Sequence, residues 1–151
     1  MDLARFIHVL GTIVWVGGMF FAYVALRPAA TAVLQPPERL RLWQAAFRRF
    51  FSWVWISAAG ILASGLWMVW ELGGFAAVAP HVHVMFALGI VMMLIFAHVY
   101  FAPFRRMTHL VEAQDWPAAA TALGRIRRLV GINLALGLIV VAVGTAGRLL
   151  A

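Results

Sequence analysis

The sequence predicts an all-α integral membrane protein, an antiparallel bundle of four transmembrane helices with both termini in the periplasm. Three observations predict this fold. Of the 151 residues, 65% are hydrophobic, against about 45–50% in a soluble domain. Four apolar stretches each reach the length of about 20 residues that a membrane-spanning helix requires. Arginine-rich links alternate with a link that has no basic residue, and this alternation sets the direction of the helices.

The four apolar stretches are predicted as helices because lipid offers no hydrogen-bond partners to an open sheet edge. We expect the spans at residues 3–26, 51–72, 83–104 and 129–149, within one domain of residues 1–151. The first and third links carry arginines, whereas residues 73–80 carry no basic residue, so the arginine-rich links are expected in the cytoplasm. The chain is therefore expected to be a multi-pass protein of the bacterial cytoplasmic (inner) membrane, with its first span an uncleaved anchor.

The arginine-rich links themselves contain helix signals. Apolar residues recur at helical spacing between Leu40 and Phe50, so residues 37–50 are predicted as an amphipathic cytoplasmic helix. It either lies on the membrane surface or extends the second span. Asp115 followed by Trp-Pro is typical of a helix start, so the fourth helix is expected to begin in the cytoplasm.

The composition excludes several classes of function. The chain has no cysteine, which excludes disulfides, iron–sulfur clusters and thiolate metal sites. A net charge of +7 with no lysine comes from twelve arginines against five acids. Because these arginines flank apolar stretches, the predicted partner is the anionic surface of the lipid bilayer and not nucleic acid. The sequence has no phosphate-binding glycine loop, no HExxH and no serine nucleophile elbow.

Histidines inside the predicted spans are the main candidates for chemistry. His8 and His83 each lie just inside the start of a span, on the same predicted side of the membrane. Ionisable rings in hydrocarbon are costly and rare, so both are candidate functional residues. Because they lie at matched depth on different helices, they could ligate one metal together. His98 lies deeper in the third span and is a further candidate, while His81 is either an additional ligand or a loop residue.

A stripe on the first span surrounds His8. His8, Gly11, Trp15 and Gly18 follow a 3-4-3 spacing, which places them on one face of a helix. A histidine above a glycine leaves a flat gap beside its ring. Such a gap fits either the face of a porphyrin or a tightly crossing helix.

The first functional hypothesis is a b-type haem protein that transfers electrons or oxidises a quinol. Its predicted axial ligands are His8 and His83, with Trp15 and Gly11 shaping the pocket. Arg5 and Arg148, near the same interface, would pair with the propionates. A homodimer could complete the pocket, and the redox partner is unknown.

Two alternatives come from other classes. His8, His81 and His83 could bind or transport copper near the periplasmic surface. The methionines could add soft ligands, although they form no MxxM cluster and methionine is also common packing material. The third hypothesis is a non-catalytic membrane subunit.

Several motifs resemble a known family. Residues 8–21, HVLGTIVWVGGMFF, resemble the first helix of the copper-resistance D (CopD) membrane domain and that of the haem-binding protoporphyrinogen oxidase HemJ. The resemblance continues through most of the chain, in Arg48-Arg49, Ser64-Gly65-Leu66-Trp67, His81-Val82-His83, Ala97-His98 and Asn133. It implies either haem binding, with a HemJ-like oxidoreductase that acts on a porphyrinogen if the protein is an enzyme, or copper homeostasis with a periplasmic copper carrier as partner. HemJ-type proteins carry a lysine shortly after the histidine of the third span, a residue type that this chain lacks.

Overall fold

The computed structural model describes residues 1–147, and over this range the regular structure is entirely helical. Four continuous helical segments are each long and apolar enough to cross a membrane, namely Asp2–Val33, Pro36–Glu71, Pro80–Glu112 and Trp116–Ala146. The protein is therefore a multi-pass membrane protein, and the predicted four-helix architecture is confirmed. The side of the membrane on which the termini lie stays a prediction from the arginine pattern.

Two of the four segments are divided by π-helical turns. The elements are α1 (Asp2–Phe21), a π-helical turn (Ala22–Leu26), α2 (Arg27–Val33), α3 (Pro36–Glu71), α4 (Pro80–Val99), a second π-helical turn (Tyr100–Phe104), α5 (Arg105–Glu112) and α6 (Trp116–Ala146). Each π-helical turn accompanies a proline, Pro28 just after the first and Pro103 inside the second. Proline has no N–H and crowds the carbonyl four residues earlier, and a widened turn accommodates that defect.

The helices pack as two antiparallel pairs. An ion pair of 3.4 Å between the Met1 amine and Glu71 joins the start of α1 to the end of α3. The start of α4 lies against the end of α6, where His81 approaches Gly147. We call the end of the bundle with Met1, residues 72–79 and Gly147 the terminal end, and the opposite end the arginine end.

Residues 37–50 are the first part of α3 and not a separate surface helix. With 36 residues, α3 is about 54 Å long, far more than the about 30 Å of hydrocarbon, so it extends the second span beyond the membrane at the arginine end. There it packs a tight apolar core that includes Leu40, Phe47, Met107 and Ile126.

The signals read for the start of α6 are confirmed. The Asp115 carboxylate accepts a hydrogen bond of 3.1 Å from the Ala118 N–H, which satisfies one of the free N–H groups at the first turn.

At the other end of the bundle, α3 stops at two glycines. Gly73 and Gly74 have φ angles of +95° and +91°, a conformation that glycine adopts without strain.

Candidate functional site

His8 is held by α3 through one ring nitrogen. Its Nδ1 lies 3.1 Å from the Ile61 carbonyl oxygen and 3.2 Å from Ser64 Oγ. Because a carbonyl oxygen can only accept, Nδ1 carries the proton, and the Ser64 hydroxyl is itself donated to the Gly60 carbonyl. The Nε2 atom of His8 therefore keeps its lone pair. This is the tautomer and anchoring that metal-ligating histidines commonly have.

The stripe around His8 faces α3. A Cβ on Gly11 would lie 2.9 Å from Ile61 Cγ1 and 3.2 Å from the Ser57 carbonyl oxygen. Trp15 is buried, and the centre of its ring lies 6.0 Å from that of Phe96 in a T-shaped arrangement. The gap beside Gly11 was expected to fit either a porphyrin face or a tightly crossing helix. Among the described residues it is filled by the crossing helix α3.

The structure gives His8 and His83 separate partners. His83 is exposed on the first turns of α4, and its ring lies 5.9 Å from that of Phe75 in the connection before the helix. Within residues 1–147 no hydrogen bond or aromatic contact joins the two histidines. Their joint ligation of a metal remains a prediction.

His81 faces a different direction from His83, toward α6. A Cβ on Gly147 would lie 2.8 Å from both Cβ and Cγ of His81. One turn further along α4, the Met85 side chain also packs against α6. Its Cε would lie 2.8 Å and its Sδ 3.2 Å from a Cβ on Gly144. Residues four apart on a helix share a face, so an imidazole and a thioether lie together at the α4–α6 seam.

The same face continues toward the middle of the bundle. Met92, seven residues beyond Met85, is buried, and its Cε lies 3.1 Å from a Cβ on Gly137 of α6. We call His81, Met85 and Met92 the histidine–methionine column. The column was missed in the sequence, although its spacing of four and seven residues, matched by Gly144 and Gly137 seven apart, is visible there.

A buried amide lies beside the inner end of the column. Asn133 of α6 is 3% exposed, and its Nδ2 donates a hydrogen bond of 3.3 Å to the Met92 carbonyl oxygen. Its Oδ1 has no hydrogen-bond partner among the described residues. Asn133, Trp15 and Met19 line a narrow cavity with space for about one water molecule. A methionine and an asparagine whose Oδ1 has no partner among the described residues thus line one small cavity.

The remaining predicted site residues lie apart from this seam. Arg5 is exposed on α1, and His98 is exposed on α4 with no hydrogen bond in the part of the chain that is described. Arg148 lies outside the described residues, as do the last two residues of the predicted fourth span. The roles expected for them at a haem remain predictions.

The donor set defines the kind of metal that fits. Within residues 1–147 no three His, Cys, Asp or Glu side chains lie close enough together to hold a metal ion. The ligands one helical turn apart are the His81 imidazole and the Met85 thioether, and the Met92 thioether lies two turns further along the column. Such soft neutral ligands favour Cu(I) over harder divalent ions.

A comparison with protein families bears on the same question. A family model described as copper resistance protein D matches residues 44–146, which is more than half of the chain. The match includes all of α4 and all of α6 and therefore the whole column. No curated protein and no solved structure matches the chain.

Proposed function

Since the chain belongs to the copper resistance protein D family, we propose that it binds Cu(I) at the terminal end and passes it into the membrane along the histidine–methionine column. One observation carries the proposal. The His81 imidazole and the Met85 thioether lie one turn apart on α4, both against glycines of α6. The missing glycine side chains leave room for these two groups at the seam.

The column provides successive soft ligands. By helix rise, Met85 lies about 6 Å beyond His81, and Met92 lies about 10 Å beyond Met85. Asn133, which is hydrogen-bonded to the Met92 carbonyl oxygen, and Met19 line a cavity with room for a single small ion or water. Ligands spaced in this way would bind Cu(I) in steps, each weak enough for the ion to leave.

The neutral charge of these ligands also favours a monovalent metal ion. Thioether, neutral imidazole and amide groups do not offset charge, so the complex keeps the charge of the ion. Since charge in hydrocarbon is costly, a monovalent ion fits this seam better than a divalent one. His83, exposed beside Phe75, and His8, with its free Nε2, are proposed as additional donors that receive copper from a periplasmic carrier.

Haem binding is the second candidate, favoured by the anchoring of His8. Residues 1–147 of one chain do not enclose a porphyrin, because Ile61 fills the gap at Gly11 and the cavity beside Trp15 holds about one water. A haem on the His8 Nε2 would therefore need lipid or a second copy of the chain as its other wall.

The test is an anaerobic Cu(I) titration of the purified protein against a chromogenic Cu(I) chelator. Loss of one ligand is expected to weaken binding about tenfold, or about 1.4 kcal/mol, in His81→Ala and in Met85→Leu. His109→Ala and Met107→Leu, at the arginine end, are the matched controls and should bind as the wild type does. Equal affinity in all five proteins would contradict the proposal.

The absorption spectrum of the same preparation separates the two candidates. A reduced spectrum with resolved α and β bands that disappear in His8→Ala would support haem. Copper binding without these bands would support the column.

A further inference from the structure

A groove at the arginine end is independent of the column. It has a volume of about 300 Å³ and lies between α3 and the segment formed by the second π-helical turn and α5. Its lining consists of two arginines, a histidine, a hydroxyl side chain and two aromatic rings, namely Arg48, Arg105, His109, Thr108, Tyr100 and Phe104.

Within residues 1–147, no carboxylate balances the charge of the groove. Arg48 and Arg105 come from different elements, and none of the described lining residues is acidic. Glu112, the acid nearest to them along α5, lies outside this lining. Among the described residues the only ion pair joins Met1 and Glu71 at the opposite end of the bundle. Two guanidinium groups that face one groove repel each other unless an anion lies between them.

The shape of the groove adds a second constraint. Phe104 is buried and Tyr100 is half-buried, so the floor is aromatic, whereas the two arginines are exposed at the rim. The guanidinium group of Arg105 also lies 5.0 Å from the centre of the Phe101 ring, which restricts its position. A cationic rim above an apolar floor suits an anion that is attached to an apolar body.

From these observations we propose that the groove binds a phosphate group, with Arg48 and Arg105 as its two cationic contacts and Thr108 and His109 as further donors. Guanidinium groups bind phosphate oxygens through paired, charge-assisted hydrogen bonds. The phosphate could belong to an anionic phospholipid or be free in solution. The aromatic floor favours the lipid, because basic pockets between helices at the cytoplasmic surface bind anionic headgroups.

The test compares two double variants with equal loss of charge. Arg48→Gln with Arg105→Gln removes both arginines of the groove, whereas Arg49→Gln with Arg106→Gln removes their neighbours, which do not line it. Each protein is purified from membranes that contain phosphatidylglycerol, and native mass spectrometry counts the lipids retained. Thermal unfolding with added inorganic phosphate is measured on the same samples.

The expected result is one retained phosphatidylglycerol in the wild type and in the Arg49/Arg106 variant. The Arg48/Arg105 variant should bind it at least about tenfold more weakly, because each charge-assisted contact contributes about that factor. No retained lipid, with inorganic phosphate stabilising the wild type but not the Arg48/Arg105 variant, would assign the site to free phosphate. Equal behaviour of the two double variants in both measurements would overturn the proposal, whatever the outcome of the copper titration.

Discussion

Replacement of Asn133 by leucine is expected to stabilise the bundle while it weakens copper binding. The substitution removes one hydrogen bond, from Nδ2 to the Met92 carbonyl, and interhelical hydrogen bonds in membranes average about 0.6 kcal/mol. It also removes Oδ1, which is buried without a partner among the described residues, and such a group costs about 1–3 kcal/mol. The free energy of unfolding should therefore rise by about 1 kcal/mol.

The assay is reversible unfolding in mixed micelles, with Cu(I) affinity measured on the same protein. Thr12→Val is the matched control, because the Thr12 hydroxyl is satisfied by the His8 carbonyl at 2.8 Å. Its removal should change the free energy of unfolding by no more than about 0.6 kcal/mol in either direction. If Asn133→Leu instead destabilises the protein by more than about 1 kcal/mol, Oδ1 is already satisfied and is not a free ligand.

Four further substitutions test the packing and the anchoring. Gly137→Ala places a Cβ 2.9 Å from a Val16 methyl and should lower the free energy of unfolding by about 1–3 kcal/mol. Its control is Gly124→Ala, whose Cβ meets nothing within 4 Å and which should raise the free energy of unfolding by up to about 1 kcal/mol. Chemical unfolding of both variants measures the two changes. Asp115→Ala removes the N-terminal cap of α6 and should lower the free energy of unfolding by about 1 kcal/mol. The loss should appear as faster amide hydrogen exchange in the first turn of α6, and unchanged exchange would refute the role of the cap. His8→Ala should cost about 0.5–1.5 kcal/mol in the same unfolding assay, and no loss at all would show that its contacts to α3 do not stabilise the bundle.

The helices could be predicted from the sequence because their signals are local. Apolar length and arginine position determine where a helix can cross lipid, and Asp115 marks the start of α6 by its own side chain. The continuity of α3 through residues 37–50 could not be decided, because an amphipathic face is compatible with both a surface helix and an extended span.

The candidate site was less predictable because it depends on which helices are neighbours. The depths of His8 and His83 are a matter of position along the chain, but their directions depend on packing. In the structure, the His8 side chain contacts α3, whereas the His83 ring lies beside Phe75. The spacing of the column is present in the sequence, but the packing of α4 on glycines of α6 decides that this face lies at a seam. Single methionines carry no signal of their own in an apolar helix.

X-ray absorption at the copper edge, on the purified protein loaded with one equivalent of Cu(I), tests the central claim most directly. The column predicts both nitrogen and sulfur neighbours of copper in the wild type. The nitrogen should be lost in His81→Ala and one sulfur in Met85→Leu, whereas His109→Ala should keep the wild-type spectrum. A spectrum with nitrogen or oxygen neighbours alone, unchanged by either column substitution, would contradict the assignment of copper to His81 and Met85.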